Sequence, residues 1–142
     1  MTRKQQKINI TIPSKIEELN RIEEISEEIA EKMGMNEDEE DNLCIAITEV
    51  VGNAIVHGNR KDPKKKVQIE FRLEKDKVTI SVKDEGEGFE IDKLSNPLEP
   101  ENIMKDSGRG IFILKTLMDD VSFDFSSEGT RVTFVMRIAR QG

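Results

Sequence analysis

Tryptophan and tyrosine are absent from this 142-residue chain, and cysteine and histidine each occur once, as Cys44 and His57. A single cysteine excludes an internal disulfide, and one cysteine with one histidine is a poor basis for a zinc site. Acidic residues outnumber basic ones by 29 to 22, which gives a net charge of -7. The missing aromatic side chains and the acidic balance argue against direct binding of nucleic acid.

Long apolar runs are also missing. No stretch approaches the roughly 20 apolar residues that a membrane helix needs. The first seven residues lead into a strand-like segment without the apolar region of a signal peptide. We therefore expect a cytoplasmic protein that does not contact a membrane. The length suits one soluble domain, residues 1–142, with one core and one cleft.

Alternating apolar residues predict the strands. The pattern occurs once near the start and then in two hairpins, at residues 8–12, 67–82 and 121–136. Because every strand alternates, each should bury one face only. The expected fold is α+β, a two-layer sandwich with three main helices on one face of a mixed, mostly antiparallel sheet of about five strands. The other face would be polar or used for association.

Helical spacing of apolar residues predicts the three helices. The first covers residues 16–33. Ser14 precedes this helix and Glu17 lies in its first turn, a spacing that fits a capping box. The second covers residues 36–58, and the third begins after residue 110.

The segment of residues 89–107 has no regular period and exceeds the usual length of a structureless connection, which is typical of a lid or a binding loop. It ends in Ser107-Gly108-Arg109-Gly110, directly before the third helix. Unpaired backbone N–H groups and the positive end of the helix dipole favour an anion site at this position. A loop that simply opens a helix is the alternative.

Two further groups of residues offer polar atoms. Glu49 and Asn53 lie four residues apart on one flank of the second helix, where a carboxylate could accept a proton and an amide oxygen could bind Mg²⁺. Asp84, Gly86 and Gly88 follow a strand, so a carboxylate could accept a hydrogen bond from the amine of adenine while glycines permit close backbone approach. A solvated helix flank and an ordinary glycine turn are the alternatives.

Taken in order, these motifs resemble the N, G1, G2 and G3 boxes of the gyrase, heat-shock chaperone, histidine-kinase and MutL ATPase superfamily. The matching motifs are Glu49-x3-Asn53, Asp84-x-Gly86-x-Gly88, Gly108-x-Gly110 and Gly129-Thr130. Within the superfamily, the strand-first start, Asn53-Ala54-x-x-His57-Gly58 and residues 108–121 resemble the bacterial anti-sigma-factor serine kinases over nearly the whole chain. The resemblance implies a single histidine-kinase-like ATPase domain of the Bergerat fold, with an ATP lid at about residues 89–109.

The resemblance also implies a role for each matching residue. Glu49 would be the general base for the substrate hydroxyl, and Arg109 would neutralise charge on the transferred phosphoryl group. Asn53 would bind Mg²⁺, and Asp84 would bind the amine of adenine. The remaining nucleotide-binding positions would be Gly86, Gly88, Gly108, Gly110 and Thr130.

The partners implied by the resemblance are a small STAS-type antagonist of the anti-sigma factor, phosphorylated on serine or threonine, and a sigma factor that the kinase sequesters. The family typically forms homodimers. Between Glu17 and Asp41 there are 12 acidic and two basic residues, a surface that would attract a basic partner, although a solvated helix face is the alternative. The sequence therefore predicts an ATP- and Mg²⁺-dependent serine/threonine-protein kinase and anti-sigma factor. The alternatives are an ATP-gated binding module without phosphotransfer and a detached histidine-kinase ATPase domain.

Overall fold

The computed structural model describes residues 6–86 and 114–138. The strands, numbered β1 to β5, and the helices, numbered α1 to α3, follow in this order: β1 Gln6–Pro13, α1 Leu19–Met33, α2 Glu37–Asn53, β2 Lys66–Leu73, β3 Lys77–Lys83, α3 described over residues 114–117, β4 Asp120–Ser126 and β5 Gly129–Arg137. Within the described ranges, no helix is long and apolar enough to cross a membrane.

The five strands form one sheet in the order β1-β2-β3-β5-β4. Neighbouring strands are antiparallel in all four described pairings, and both predicted hairpins, β2–β3 and β4–β5, are confirmed. The predicted two-layer arrangement of three helices on a mostly antiparallel sheet is therefore confirmed. A parallel pairing, which the term mixed sheet allowed, does not occur among the strands that the structure describes.

The core lies between the helices and one face of the sheet. The strands alternate as predicted. The inward side chains of β2, β3 and β5 are buried, whereas most of those on the edge strands β1 and β4 are half-buried. The opposite face of the sheet is polar, as expected. Ser81 Oγ lies 3.2 Å from Thr133 Oγ1 on that face, and the Arg131 guanidinium donates a hydrogen bond to Ser81 Oγ. The core residues include Ile22, Ile29, Met33, Leu43, Ile47, Val51, Ile69, Phe71, Ile80, Val82 and Phe134.

The start of α1 differs from the prediction. A short 3-10 turn, Ile16–Glu18, precedes the helix, and no side chain caps either segment. Ser14 Oγ instead donates a hydrogen bond to the carbonyl oxygen of Lys65 at 2.7 Å, so the predicted capping box is wrong. A capping box is judged from residues three apart, whereas the partner that Ser14 contacts is 51 residues away in the sequence.

Both ends of the second helical segment lie where the sequence predicted them. Asn36 caps α2 in a reciprocal capping box with Glu39. After Asn53 the helix continues as a π-helical turn, Ala54–Gly58, so the helical conformation ends at Gly58 as predicted. The change from α to π hydrogen bonding was not predicted.

Candidate functional site

Asp84 follows β3 and is buried, with 6% of its surface exposed. One carboxylate oxygen, Oδ1, accepts hydrogen bonds from the backbone N–H groups of Gly86 and Thr130, both at 3.0 Å. The N–H group of Asp84 in turn donates to the carbonyl oxygen of Thr130 at 3.0 Å. The second carboxylate oxygen, Oδ2, faces Gly58, accepts no hydrogen bond from the described residues, and could accept one from a ligand.

Burial raises the pKa of Asp84 above the ordinary value for an aspartate. The two backbone hydrogen bonds and the positive charges of Lys83 and Lys65 oppose this rise and do not cancel it. A buried acceptor with an unused lone pair gains most from a ligand that donates a hydrogen bond. The exocyclic amine of adenine is such a donor, whereas guanine presents a carbonyl oxygen at the equivalent position.

Three glycines surround the Asp84 backbone and carboxyl group. A Cβ atom on Gly58 would overlap the carboxyl group of Asp84, and a Cβ atom on Gly129 would overlap its carbonyl oxygen. A Cβ atom on Gly86 would overlap the carbonyl oxygen of Gly58. Gly129 also has a φ of 138°, which side chains rarely tolerate. Contacts within the protein thus require glycine at these positions, in addition to the close approach to a ligand that was predicted at Gly86.

Glu49 and Asn53 lie one turn apart on α2, and both are half-buried. Neither side chain forms a hydrogen bond with another residue of the described chain, so both keep their polar atoms available to a ligand. The π-helical turn Ala54–Gly58 continues this helix to the contact between Gly58 and Asp84. One helical segment therefore connects Glu49 and Asn53 to the buried carboxylate.

A magnesium ion fits this chemistry through one protein ligand. Within residues 6–86 and 114–138, there is no group of three or more His, Cys, Asp or Glu side chains that could hold a metal ion. Mg²⁺ is commonly held by one or two protein oxygens together with substrate phosphates and water, so it needs no such group. The amide oxygen of Asn53, half-buried and without an intramolecular partner in the described chain, is a suitable oxygen of this kind.

The structure brings Asp84, Gly86 and Thr130 together, as the predicted site requires. The predicted lid at about residues 89–109 lies outside the described residues. So do four of the predicted site residues: Gly88, Gly108, Arg109 and Gly110.

Asn59 is a site residue that the sequence did not reveal. It is 1% exposed, and its Oδ1 accepts a hydrogen bond from the backbone N–H of Glu85 at 2.8 Å. Its Nδ2 donates to Ser14 Oγ at 2.8 Å and to the carbonyl oxygen of Lys66 at 3.0 Å. The only local signal was the pair Gly58-Asn59, which predicts the end of a helix and carries no sign of burial.

Comparison with known proteins agrees with this geometry. A family model described as a histidine kinase-like ATPase domain matches residues 12–136. The chain therefore belongs to the class of histidine kinase-like ATPase domains.

Named relatives narrow the assignment. The chain is 31% identical over 140 residues to the serine-protein kinase RsbW of Bacillus licheniformis, an alignment that covers 94% of this chain and 87% of the relative. It is 30% identical over 120 residues to the serine-protein kinase RsbW of Bacillus subtilis strain 168, covering 80% of this chain and 75% of the relative. The particular family to which the chain belongs is thus that of the RsbW proteins, and the resemblance inferred from its motifs is confirmed.

Solved structures support the fold. The RsbU and RsbW domains of a Mycobacterium tuberculosis protein match with a TM-score of 0.71 at 20% identity, over 96% of this chain and 33% of that chain. The catalytic domain of the histidine kinase ThkA matches with a TM-score of 0.56 at 18% identity, over 98% of this chain and 100% of that chain. At these identities, the matches establish a common fold.

Proposed function

We propose that this protein is an ATP-dependent protein-serine/threonine kinase that also acts as an anti-sigma factor. The observation that carries the proposal is the buried carboxylate of Asp84, whose Oδ1 is held by two backbone N–H groups while Oδ2 accepts no hydrogen bond from the described residues. An acceptor held in this way suits the amine of adenine. The names of the RsbW relatives supply the reaction class, phosphorylation of protein serine.

Nucleotide binding in this proposal begins at Asp84. The amine of adenine donates a hydrogen bond to Asp84 Oδ2, while Thr130 holds the other oxygen through its backbone N–H. Gly86 lets the chain pass close to the base. Gly88, Gly108 and Gly110 would let the proposed lid, residues 89–109, fold over the phosphates and exclude water.

Phosphoryl transfer is assigned to the other end of the site. The hydroxyl oxygen of the substrate serine or threonine forms a bond to the terminal phosphorus of ATP, the bond to the bridging oxygen breaks, and ADP leaves. Glu49 accepts the hydroxyl proton. Asn53 would hold Mg²⁺, which supplies charge neutralisation at the phosphates. Arg109 would stabilise the charge on the transferred group.

Two protein partners belong to the proposal, an STAS-type antagonist as the phosphorylated substrate and a sigma factor as the sequestered protein. The acidic segment from Glu17 to Asp41 covers α1 and the first turn of α2, and most of its carboxylates are exposed. Such a surface suits the basic surface of a sigma factor. We also propose that the protein is a homodimer and that it lies in the cytoplasm. Light scattering of the purified protein would test the homodimer by measuring its molar mass.

The decisive experiment incubates the purified protein with Mg²⁺ and ATP labelled on its terminal phosphate in a lysate of the source cell. Two variants are assayed beside the wild type. Glu49→Gln removes the proposed base, and Glu70→Gln makes the same change at a half-buried glutamate on β2, where it pairs with Arg72. We expect label on serine or threonine of one small protein with the wild type and Glu70→Gln, and none with Glu49→Gln.

Other results separate the alternatives. Normal labelling by Glu49→Gln would show that Glu49 is not the base. Absence of label with all proteins, despite measurable ATP binding and a lysate known to contain the antagonist, would support an ATP-gated binding module without phosphotransfer.

A further inference from the structure

The Asn59 side chain forms hydrogen bonds with three separate segments of the chain. Its amide oxygen accepts from Glu85, the residue after Asp84, and its amide nitrogen donates to Ser14 after β1 and to Lys66 at the start of β2. Only an amide offers an acceptor and two donors on one short side chain. Asn59 is 1% exposed, so a residue without an amide at this position would break all three hydrogen bonds and would leave the buried Ser14 hydroxyl without this partner.

The backbone of the same residue belongs to the end of the helical segment. The Asn59 N–H donates to the carbonyl oxygen of Ala54 at 2.8 Å, which closes the π-helical turn. The preceding residue, Gly58, is the one whose Cα lies against the carboxyl group of Asp84. Asn59 therefore fixes both the helix end that contacts Asp84 and the peptide that follows Asp84.

Two additional hydrogen bonds stabilise the network around Asn59. Ser14 Oγ, which accepts from Asn59, donates to the carbonyl oxygen of Lys65 at 2.7 Å. The backbone N–H of Lys66 donates to the carboxylate of Glu85. The turn after Asp84 is thus attached to the beginning of β2 in two ways, directly by the Glu85 side chain and indirectly through Asn59.

We propose that Asn59 is a positioning residue for adenine recognition. By holding the Glu85 peptide, it fixes the turn in which the Gly86 N–H binds Asp84 Oδ1, and this leaves Oδ2 directed to the ligand. The role rests on the proposed function, because it takes ATP as the nucleotide. It differs from a general contribution to folding, since it predicts a loss that is specific to the 6-amino group of the base.

The test compares ATP with purine riboside triphosphate, which carries hydrogen in place of that amino group. Dissociation constants for both nucleotides are measured by titration calorimetry at a temperature where each variant is folded. The dissociation constant of the wild type for ATP should be lower than that for purine riboside triphosphate by about tenfold or more, because a hydrogen bond from the amino group to a charged carboxylate contributes about that much to binding. Asn59→Ala should reduce this preference to nearly one.

A second variant and a matched control accompany Asn59→Ala. Ser14→Ala removes one partner of the amide and should lower the preference by about threefold. Ser26 is buried to the same extent as Ser14, at 1% exposed, and its hydroxyl also donates to a backbone carbonyl, that of Glu23 at 2.8 Å. Because it lies on α1, away from this network, Ser26→Ala should keep the wild-type preference.

The proposed role would be overturned if Asn59→Ala weakened binding of both nucleotides equally and kept the preference for ATP. Should Asn59→Ala fail to fold, Ser14→Ala decides, and an unchanged preference in that variant overturns the role. A wild type that binds neither nucleotide would contradict the proposed function itself, a result distinct from either of these.

Discussion

Gly58 lies against Asp84 so closely that a Cβ atom at position 58 would overlap the Asp84 carboxyl group. Gly58 ends the helical segment that begins at Glu37 and carries Glu49 and Asn53. The contact therefore joins the helix assigned to phosphoryl transfer to the carboxylate assigned to adenine. A change at this contact should affect both stability and nucleotide binding.

Gly58→Ala should damage the protein at that contact. The new methyl group must displace the Asp84 carboxyl group or the helix end, and overpacking of this kind costs about 1–3 kcal/mol. We expect a lower free energy of unfolding in urea and weaker ATP binding by calorimetry. Wild-type stability with wild-type ATP affinity would contradict the close packing.

Gly52→Ala is the matched change within the same helix, and its expected effect has the opposite sign. A Cβ atom on Gly52 would meet only Leu19 Cδ1, at 3.9 Å, an ordinary van der Waals contact. Alanine is favoured over glycine inside a helix by about 1 kcal/mol. The free energy of unfolding should rise by about 0.5–1 kcal/mol. Destabilisation measured in the same urea titration would argue against the described environment of Gly52.

Asp84→Asn should abolish selective adenine binding while keeping the fold. An asparagine oxygen can still accept from the N–H groups of Gly86 and Thr130, but an NH₂ group then faces the amine of adenine, donor against donor. We expect the affinity for ATP to fall by at least about tenfold. The control is Asp124→Asn, the same change at an exposed position on β4. Equal ATP affinities for the wild type and Asp84→Asn would contradict the assignment.

The raised pKa of Asp84 predicts a pH dependence with a definite sign. Unfolded aspartate titrates near pH 3.9, so the folded protein retains the Asp84 proton to a higher pH than the unfolded chain does. The resulting stabilisation is complete below about pH 4 and is lost as the pH rises through the folded pKa. Relative to Asp84→Asn, the wild type should therefore lose stability as the pH increases through this window.

That difference is measured by urea unfolding of both proteins at a series of pH values from about 3.5, below the pKa of an unfolded aspartate, to about 7. The contributions of most other titrating groups to the free energy of unfolding cancel in this difference, because both proteins contain them. A difference that is independent of pH, or that favours the wild type increasingly at higher pH, would contradict the raised pKa.

The acidic surface of α1 should control the rate of sigma-factor binding. Glu27 and Glu31 are exposed and one turn apart, so replacing both with lysine reverses charge without changing the core. Association of a sigma factor from the source cell, measured by stopped-flow fluorescence, should slow several-fold, and raising the salt concentration should reduce the difference. Glu128→Lys, an exposed change in the β4–β5 turn, is the control. Equal association rates for all three proteins would show that these charges do not accelerate sigma-factor binding, which would favour the alternative of a solvated helix face.

Much of the local structure could be predicted because its causes are local. Alternation of apolar residues placed β1 and the two hairpins, and helical periodicity placed α1 and α2, whose ends at Gly34 and Asn36 agree with the structure. The spacing of Glu49 and Asn53 placed them one turn apart on α2. The motif order predicted that Asp84, Gly86 and Thr130 share one site, and the hydrogen bonds of Asp84 Oδ1 with the N–H groups of Gly86 and Thr130 place the three residues together. Their role in nucleotide binding stays a prediction.

The sequence by itself determined which residues are helical, which are extended and which family motifs the chain carries, because short-range sterics, capping and periodicity depend on near neighbours. Only the tertiary structure decided that Ser14 binds Asn59 across 45 residues rather than capping a helix. It also decided that Gly58 must lack a side chain and that, among the described residues, only one carboxylate oxygen of Asp84 accepts hydrogen bonds. These properties arise where separate segments exclude water from one another, and burial of that kind has no signature in residue spacing.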